Sequence, residues 1–164
     1  MQEFHDFTLS VLEKESTGYE ELLALAREQR EQLLAGKVAD LGAMVDRQSE
    51  IMGRVANLDR QAETCLRRLQ QALHLDSDPV TLAAVAAAAP EMHAAHYRDL
   101  NARLKKLSDE IRRTSLGNLE LARNALAYID FSLRLIGAGD NPSAYAADGT
   151  PAQPTARALM DHRA

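Results

Sequence analysis

The segment from residue 41 to residue 73 has the most regular apolar pattern of the chain, and this pattern constrains the fold most. One series alternates steps of four and three from Leu41 and is interrupted by Gln48 and Asp59. A second series with intervals of seven lies beside it: Met44, Ile51, Leu58, Cys65 and Ala72. Both spacings place side chains on one side of an α-helix. A stripe two rows wide predicts contact with more than one neighbour, as in a bundle of three or more helices.

Residues 4–34 predict another long helix. This segment contains no proline, and its apolar residues recur at steps of three, four and seven. Gly36 follows, and glycine is the residue that most readily takes the left-handed conformation at a helix end. We therefore expect one amphipathic helix that stops just before Gly36.

A third long helix is expected after Pro90, where the stripe resumes and continues to Ile136, with an end at Gly137. Between the second and third helices lies the stretch LDSDPVTLAAVAAAAPEMH. Its Asp and Ser residues are typical N-caps, and Pro79 suits a first helical turn. Because Pro90 interrupts a helix that reaches it, we expect a short helix at about residues 79–88.

The composition supports an all-α fold. The chain is 46% hydrophobic but only 4% aromatic, whereas sheet proteins usually contain more aromatic and β-branched residues. We expect an elongated antiparallel bundle of three long helices, up, down and up, with a short extra helix, over residues 1–137. Residues 138–164 are expected to form a flexible C-terminal tail, because their prolines, glycines and small polar residues bury too little apolar surface to offset the entropy of ordering.

The charge pattern argues against nucleic-acid binding. The net charge is -5, and residues 1–36 hold eight acidic residues against three basic ones. No segment is strongly basic. The N-terminal sequence MQEFHDFTLS lacks the basic start of a secretory signal, and the run LAAVAAAA is too short to span a bilayer. We therefore expect a cytoplasmic protein without a membrane span.

Residue patterns for catalysis or metal binding are weak. His93 and His96 share a helical face, but no Glu-x-x-His occurs and no third or fourth ligand accompanies them. There is no glycine-rich phosphate loop and no Cys-His constellation. Cys65 lies on the apolar row of the second helix and is expected to be a buried thiol. We predict no enzymatic activity, no metal and no cofactor.

The third helix is expected to exceed the other two by about two or three turns at 1.5 Å per residue. The sequence leaves open which end projects. If it is the C-terminal end, Ile129, Leu133 and Ile136 have fewer partners than their stripe requires. Asn118 lies on the same stripe and has two interpretations: it fixes the register of the bundle, or it contacts a bound helix.

Several stretches together resemble the FlgN family of flagellar export chaperones in order and spacing. They are RQSEIMGRVANLDRQAETCL in the second helix, NLELARNALAYIDFSLRLI in the third helix, and AYAADGTP in the tail. The family commonly has Tyr-Gly where this chain has Tyr145 and Ala146. The resemblance implies a small cytosolic helical bundle that holds the C-terminal segments of hook-filament junction proteins until export.

The resemblance also implies where such a client binds. An export chaperone needs an apolar surface left open in the free state and a segment nearby that orders over a bound helix. Further expected partners are components of the export gate, and the expected free state is a monomer or weak homodimer. The alternative function is a homo-oligomeric structural or regulatory coiled coil that buries the same stripe against a second copy. The predicted client-binding residues are Asn118, Ala122, Leu126, Ile129, Leu133, Ile136 and Tyr145.

Overall fold

The computed structural model describes residues 1–37, 39–76 and 79–139, and this part of the chain is helical without any strand. The expected all-α class with three long helices and one short helix is confirmed. The helices are α1 (Gln2–Leu34), α2 (Leu41–Ala72), α3 (Leu82–Ala88) and α4 (Glu91–Gly139). Among the described residues, no helix is long and apolar enough to cross a membrane.

The end of α1 confirms the glycine stop. Gly36 has a φ of 67°, in the left-handed region that glycine tolerates best. The amide of Gly36 donates to the carbonyl of Leu33, and the amide of Lys37 donates to that of Gln32. These two bonds satisfy carbonyl groups at the end of the helix, so the chain turns back towards α2 at this point.

The start of α3 corrects the prediction from the sequence. The helix begins at Leu82, and not at Pro79. Thr81 is the N-cap: it has an extended conformation, and its hydroxyl accepts a hydrogen bond of 3.1 Å from the amide of Ala84. A hydroxyl that satisfies a free amide of the first turn determines the start more strongly than the proline does. Ala89 is extended before Pro90, as expected for a residue that precedes proline.

α1 and α2 run antiparallel. Gln29 near the end of α1 bonds to Gln48 early in α2 at 3.0 Å, and Glu21 forms an ion pair with Arg54 further along α2. The two helices approach closely at Gly18, where a Cβ atom would come within 2.5 Å of Cγ2 of Val55. Glycine at this position therefore lets the two backbones come together.

α1 and α4 run parallel, which gives the expected up, down and up order of the long helices. Three ion pairs connect them at intervals of seven residues on both helices, and the charges are reversed in the last pair. Seven residues are nearly two helical turns, so all three pairs lie along one edge of the contact. In chain order the pairs are Glu13–His96, Glu20–Arg103 and Arg27–Glu110.

The core consists of two clusters that involve α1 and α2. The larger cluster also takes in Val85 of α3 and Tyr97 of α4, both fully buried, and the smaller one contains Leu22, Leu25, Ile51 and Val55. α2 does not bury both of its predicted rows along its whole length, because Val45 and Met52 are exposed. Ala62 and Leu69, by contrast, lie in the cluster that α3 completes, so the first of the two rows is covered mainly in the second half of α2.

The chain divides into two units, residues 1–125 and residues 126–164. The first contains α1, α2, α3 and most of α4, together with both core clusters. The described part of the second is the α4 segment from Leu126 to Gly139. Of the predicted tail, residues 140–164 lie outside the described residues.

Candidate functional site

The last turns of α4 carry a dense set of exposed large apolar side chains. Four of them are predicted client-binding residues, and between 45 and 67% of each side chain is exposed. We call this set row 1; it consists of Leu126, Ile129, Leu133 and Ile136. Their spacing of three and four residues places them on one face of the helix. Contiguous exposed apolar patches are uncommon on monomeric proteins, and they usually mark an interaction site.

A second set of exposed apolar residues lies on the same segment and is missed by the predicted stripe. We call it row 2; it consists of Tyr128, Phe131 and Leu135. At 100° per residue, the centres of the two rows are about 150° apart around the helix. Asp130 and Arg134 lie between the rows and form an ion pair of 2.8 Å within the helix. The segment therefore presents apolar surface on two nearly opposite sides.

The signal for row 2 is present in the sequence. The stretch YIDFSLRLI has six large apolar residues among nine, so it is apolar around most of its circumference. Helices of this kind are normally buried on all sides in a large core or in a membrane. Here the side chains of both rows are exposed, so the segment exposes more apolar surface than a one-sided stripe predicts.

Ala122 and Asn118 belong to the first unit, and the structure places them differently from row 1. Ala122 is half-buried. Asn118 is buried, and its Nδ2 atom donates a hydrogen bond of 2.7 Å to the carbonyl of Ala26 on α1. Its Oδ1 atom is buried and has no hydrogen-bond partner among the described residues. The side chain of Asn118 thus lies in the contact between α1 and α4 and helps to fix their register.

α1 and α4 approach closely beside Asn118. A Cβ atom on Gly117 would come within 2.7 Å of an Nη1 atom of Arg30. Residues 117 and 118 of α4 thus lie beside the last third of α1, which ends at Leu34. The predicted site residue Tyr145 lies outside the described residues.

The two histidines with a helical spacing have partners on α1. Nε2 of His93 lies 3.0 Å from Oδ1 of Asp6, and Nε2 of His96 lies 3.0 Å from Oε1 of Glu13. The ring of His93 also stacks on His5 at 4.8 Å between centroids. Burial lowers the pKa of His5, and the neighbouring His93 lowers it further. These contacts explain the HAAH motif as packing between α1 and α4.

The described residues contain no group of three or more His, Cys, Asp or Glu side chains that could hold a metal ion. The single cysteine, Cys65, is a buried free thiol in α2. Among the described residues, the strongest candidate for a functional site is therefore the apolar surface of the last turns of α4.

Comparison with models of known protein families finds a match over most of the chain. The family model described as FlgN protein matches residues 6–153, which is most of the chain and includes both apolar rows of α4. No curated protein matches, and no solved structure matches.

Proposed function

The chain belongs to the FlgN family of flagellar export chaperones, and from this premise we propose that it binds the C-terminal helical segments of hook-filament junction proteins. In this proposal the chaperone keeps these segments unassembled in the cytoplasm until export. Components of the export gate are further proposed partners. The observation that carries the proposal is the pair of exposed apolar rows at the end of α4.

Row 1 has the spacing of a surface that receives an amphipathic helix. Such helices place residues at i, i+3, i+4 and i+7 into an apolar groove or against an apolar face. Each large apolar side chain that becomes fully buried contributes about 1.5 to 3 kcal/mol before the costs of association are subtracted. Burial of the client's own apolar face adds a contribution of the same kind, and the two together are expected to give micromolar to nanomolar affinity after those costs. Ala122, which belongs to the first unit, lies four residues before Leu126 on the same helix.

Two of the proposed site residues have supporting roles. We assign Asn118 to the support of the binding face, because its carboxamide is bonded to α1 and buried. Tyr145 is proposed to contribute an aromatic contact from the segment that follows α4, once a client helix is bound.

Self-association is the second candidate function, and row 2 is the observation that favours it. A single client helix covers one side of α4, whereas the two rows lie about 150° apart. The same apolar side chains of a second copy of the chain would cover the remaining row. Light scattering separates the two: a client chaperone gives a monomer or weak dimer that forms a one-to-one complex, and a structural coiled coil gives a stable homo-oligomer.

The direct test is calorimetric titration with the C-terminal peptide of a junction protein. We expect Leu133→Ser to weaken binding roughly tenfold to a hundredfold, because one large contact in row 1 is lost. Leu116→Ser is the matched control, since Leu116 is an exposed leucine of the same helix in the first unit. Equal affinities for the two variants would exclude row 1 as the binding surface.

A further inference from the structure

A pocket unrelated to the apolar rows lies inside the first unit. It has a volume of about 270 Å³ and is lined by α1, α2, α4 and the segment that leads into α3. Pockets for drug-sized ligands measure roughly 300 to 1,000 Å³, so this one suits a single side chain or a small molecule. Its walls are largely apolar and include Leu12, Ala62, Leu66, Val80, Leu82 and Leu104.

The pocket contains a carboxyl group without a partner. Glu15 of α1 lines it and is only 6% exposed. The structure shows no hydrogen bond or ion pair from Glu15 to any described residue. A buried carboxylate without a hydrogen bond or a counter-ion is costly, and proteins usually pair such groups or keep them neutral.

The groups that face Glu15 do not neutralise it. From α2 the pocket is lined by Asp59 and by Glu63, which is paired with Arg67, and α4 contributes the uncharged Asn101. No lysine or arginine is among the described residues that line the pocket. The two nearest in sequence, Lys14 beside Glu15 and Arg60 beside Asp59, have exposed side chains.

The electrostatic surroundings agree with this geometry. Burial, and to a smaller extent the charge of Asp59, raises the pKa of Glu15 to about 7. Tyr19, one turn later on α1, has a raised pKa because it is buried and faces the same two carboxyl groups. The pocket thus has an excess of acidic groups and lacks a cation.

We propose that this pocket binds one ammonium or guanidinium group carried on an aliphatic stem. The cation lies between the carboxylates of Glu15 and Asp59, which gives charge-assisted hydrogen bonds. The stem lies against the leucine and valine side chains of the walls, as the stems of lysine and arginine do on apolar surfaces. The group comes either from a basic side chain of a bound polypeptide or from a free alkylamine or alkylguanidine.

The test uses n-butylguanidinium and the full chain at pH 8, with binding measured by calorimetry. We expect saturable one-to-one binding that is abolished in Glu15→Gln. Glu28→Gln is the matched control, because Glu28 is exposed on the same helix and this variant has the same net charge as Glu15→Gln. If the ionised form of Glu15 is the one that binds, affinity falls roughly 30-fold from pH 8 to pH 5.5, given its pKa of about 7.

Two further probes identify the source of the cation. n-Butylurea has the same shape without the charge, and it is expected not to bind. A capped Gly-Arg-Gly peptide presents the same guanidinium group on a polypeptide. If this peptide binds and n-butylguanidinium does not, the proposal is supported and the source of the cation is a polypeptide. The proposal is overturned if neither cation binds at pH 8, or if Glu15→Gln and the parent bind equally. A thermal melt of Glu15→Gln, recorded on the same sample, checks that the variant is folded.

Discussion

The two parts of α4 have opposite environments, although the second part is the richer of the two in apolar residues. In residues 91–125, Tyr97 and Leu100 are fully buried against α1 and α2. In residues 126–139, Leu133 and Ile136 are more than half exposed. The helical period identifies one apolar stripe that continues through both parts. Whether a face is covered depends on where the neighbouring helix ends, and α1 ends at Leu34, shortly after Ala26 bonds to Asn118. The first part of α4 therefore stabilises the fold, and the second part leaves large apolar side chains exposed.

The same substitution in the two parts gives the largest expected contrast. Leu100→Asp buries a carboxylate at a site that is 1% exposed, at a cost of several kcal/mol, which is a large share of a typical domain's stability. We expect it to unfold the bundle at 25 °C. Leu133→Asp is expected to leave the melting temperature almost unchanged. Circular dichroism melts of both variants measure this, and equal losses of stability would show that both parts of α4 are core.

A smaller effect is expected from Glu15, the buried acid of α1 in the first unit. The folded-state pKa of Glu15 is about 7 against an ordinary value of 4.5, so Glu15 destabilises the fold as the pH rises through this window. Replacing it with Gln removes a penalty of about 2 kcal/mol above pH 7, allowing for some screening by solvent. Below pH 4.5 the two proteins should be equally stable.

Urea titrations of Glu15→Gln and the parent between pH 4.5 and pH 8 test this prediction. His5 titrates in the same range, but its lowered pKa has the opposite sign: its contribution to stability increases as the pH rises towards 6.5. Because His5 is present in both proteins, the difference between the two curves reports Glu15. A difference that does not grow with pH would contradict the assignment.

Asn118 lies just before the exposed part of α4, and a third variant tests its structural role. Asn118→Ala removes the hydrogen bond to Ala26, which should cost about 1 kcal/mol. Asn124→Ala is the matched control, since Asn124 is exposed on the same helix. Thermal melts of the two variants should differ by a few degrees. If Asn118→Ala instead weakens client binding without a loss of stability, Asn118 belongs to the binding face.

The smallest expected effect concerns the ion pairs along the contact of α1 and α4. Glu20→Gln removes the partner of Arg103 at an exposed position, and exposed pairs contribute between about 0.2 and 1 kcal/mol. We expect a change in melting temperature near the limit of detection at high salt and slightly above it at low salt. A large loss at both salt concentrations would mean that this edge, and not the apolar core, holds the first part of α4 in place.

The sequence predicts the long helices well because their signals are local. The periods of α1, α2 and α4, the stop at Gly36 and the restart after Pro90 all depend on neighbours within a few residues. The start of α3 is predicted wrongly because a capping hydroxyl, that of Thr81, outweighs a proline two residues earlier. Row 2 is missed because a single stripe is followed through a segment that is apolar on two sides.

Features that depend on packing are not visible in the sequence. Carboxylates next to an apolar stripe usually face solvent, and nothing local distinguishes Glu15 from its exposed neighbour Glu13. Glu15 is buried because α2, α4 and the segment before α3 meet around it. In the same way, the pattern places Asn118 on the stripe, but only the position of α1 shows that its side chain bonds to Ala26.

Hydrogen exchange along α4, with and without the C-terminal peptide of a junction protein, tests the central claim most directly. The account predicts that amides of residues 97–118 are protected in both states, because their side chains are packed against α1 and α2. Amides of residues 126–136 should exchange faster in the free protein and become protected when the peptide binds. The claim is contradicted if the peptide protects a different helix, or if residues 126–136 are as protected in the free protein as residues 97–118.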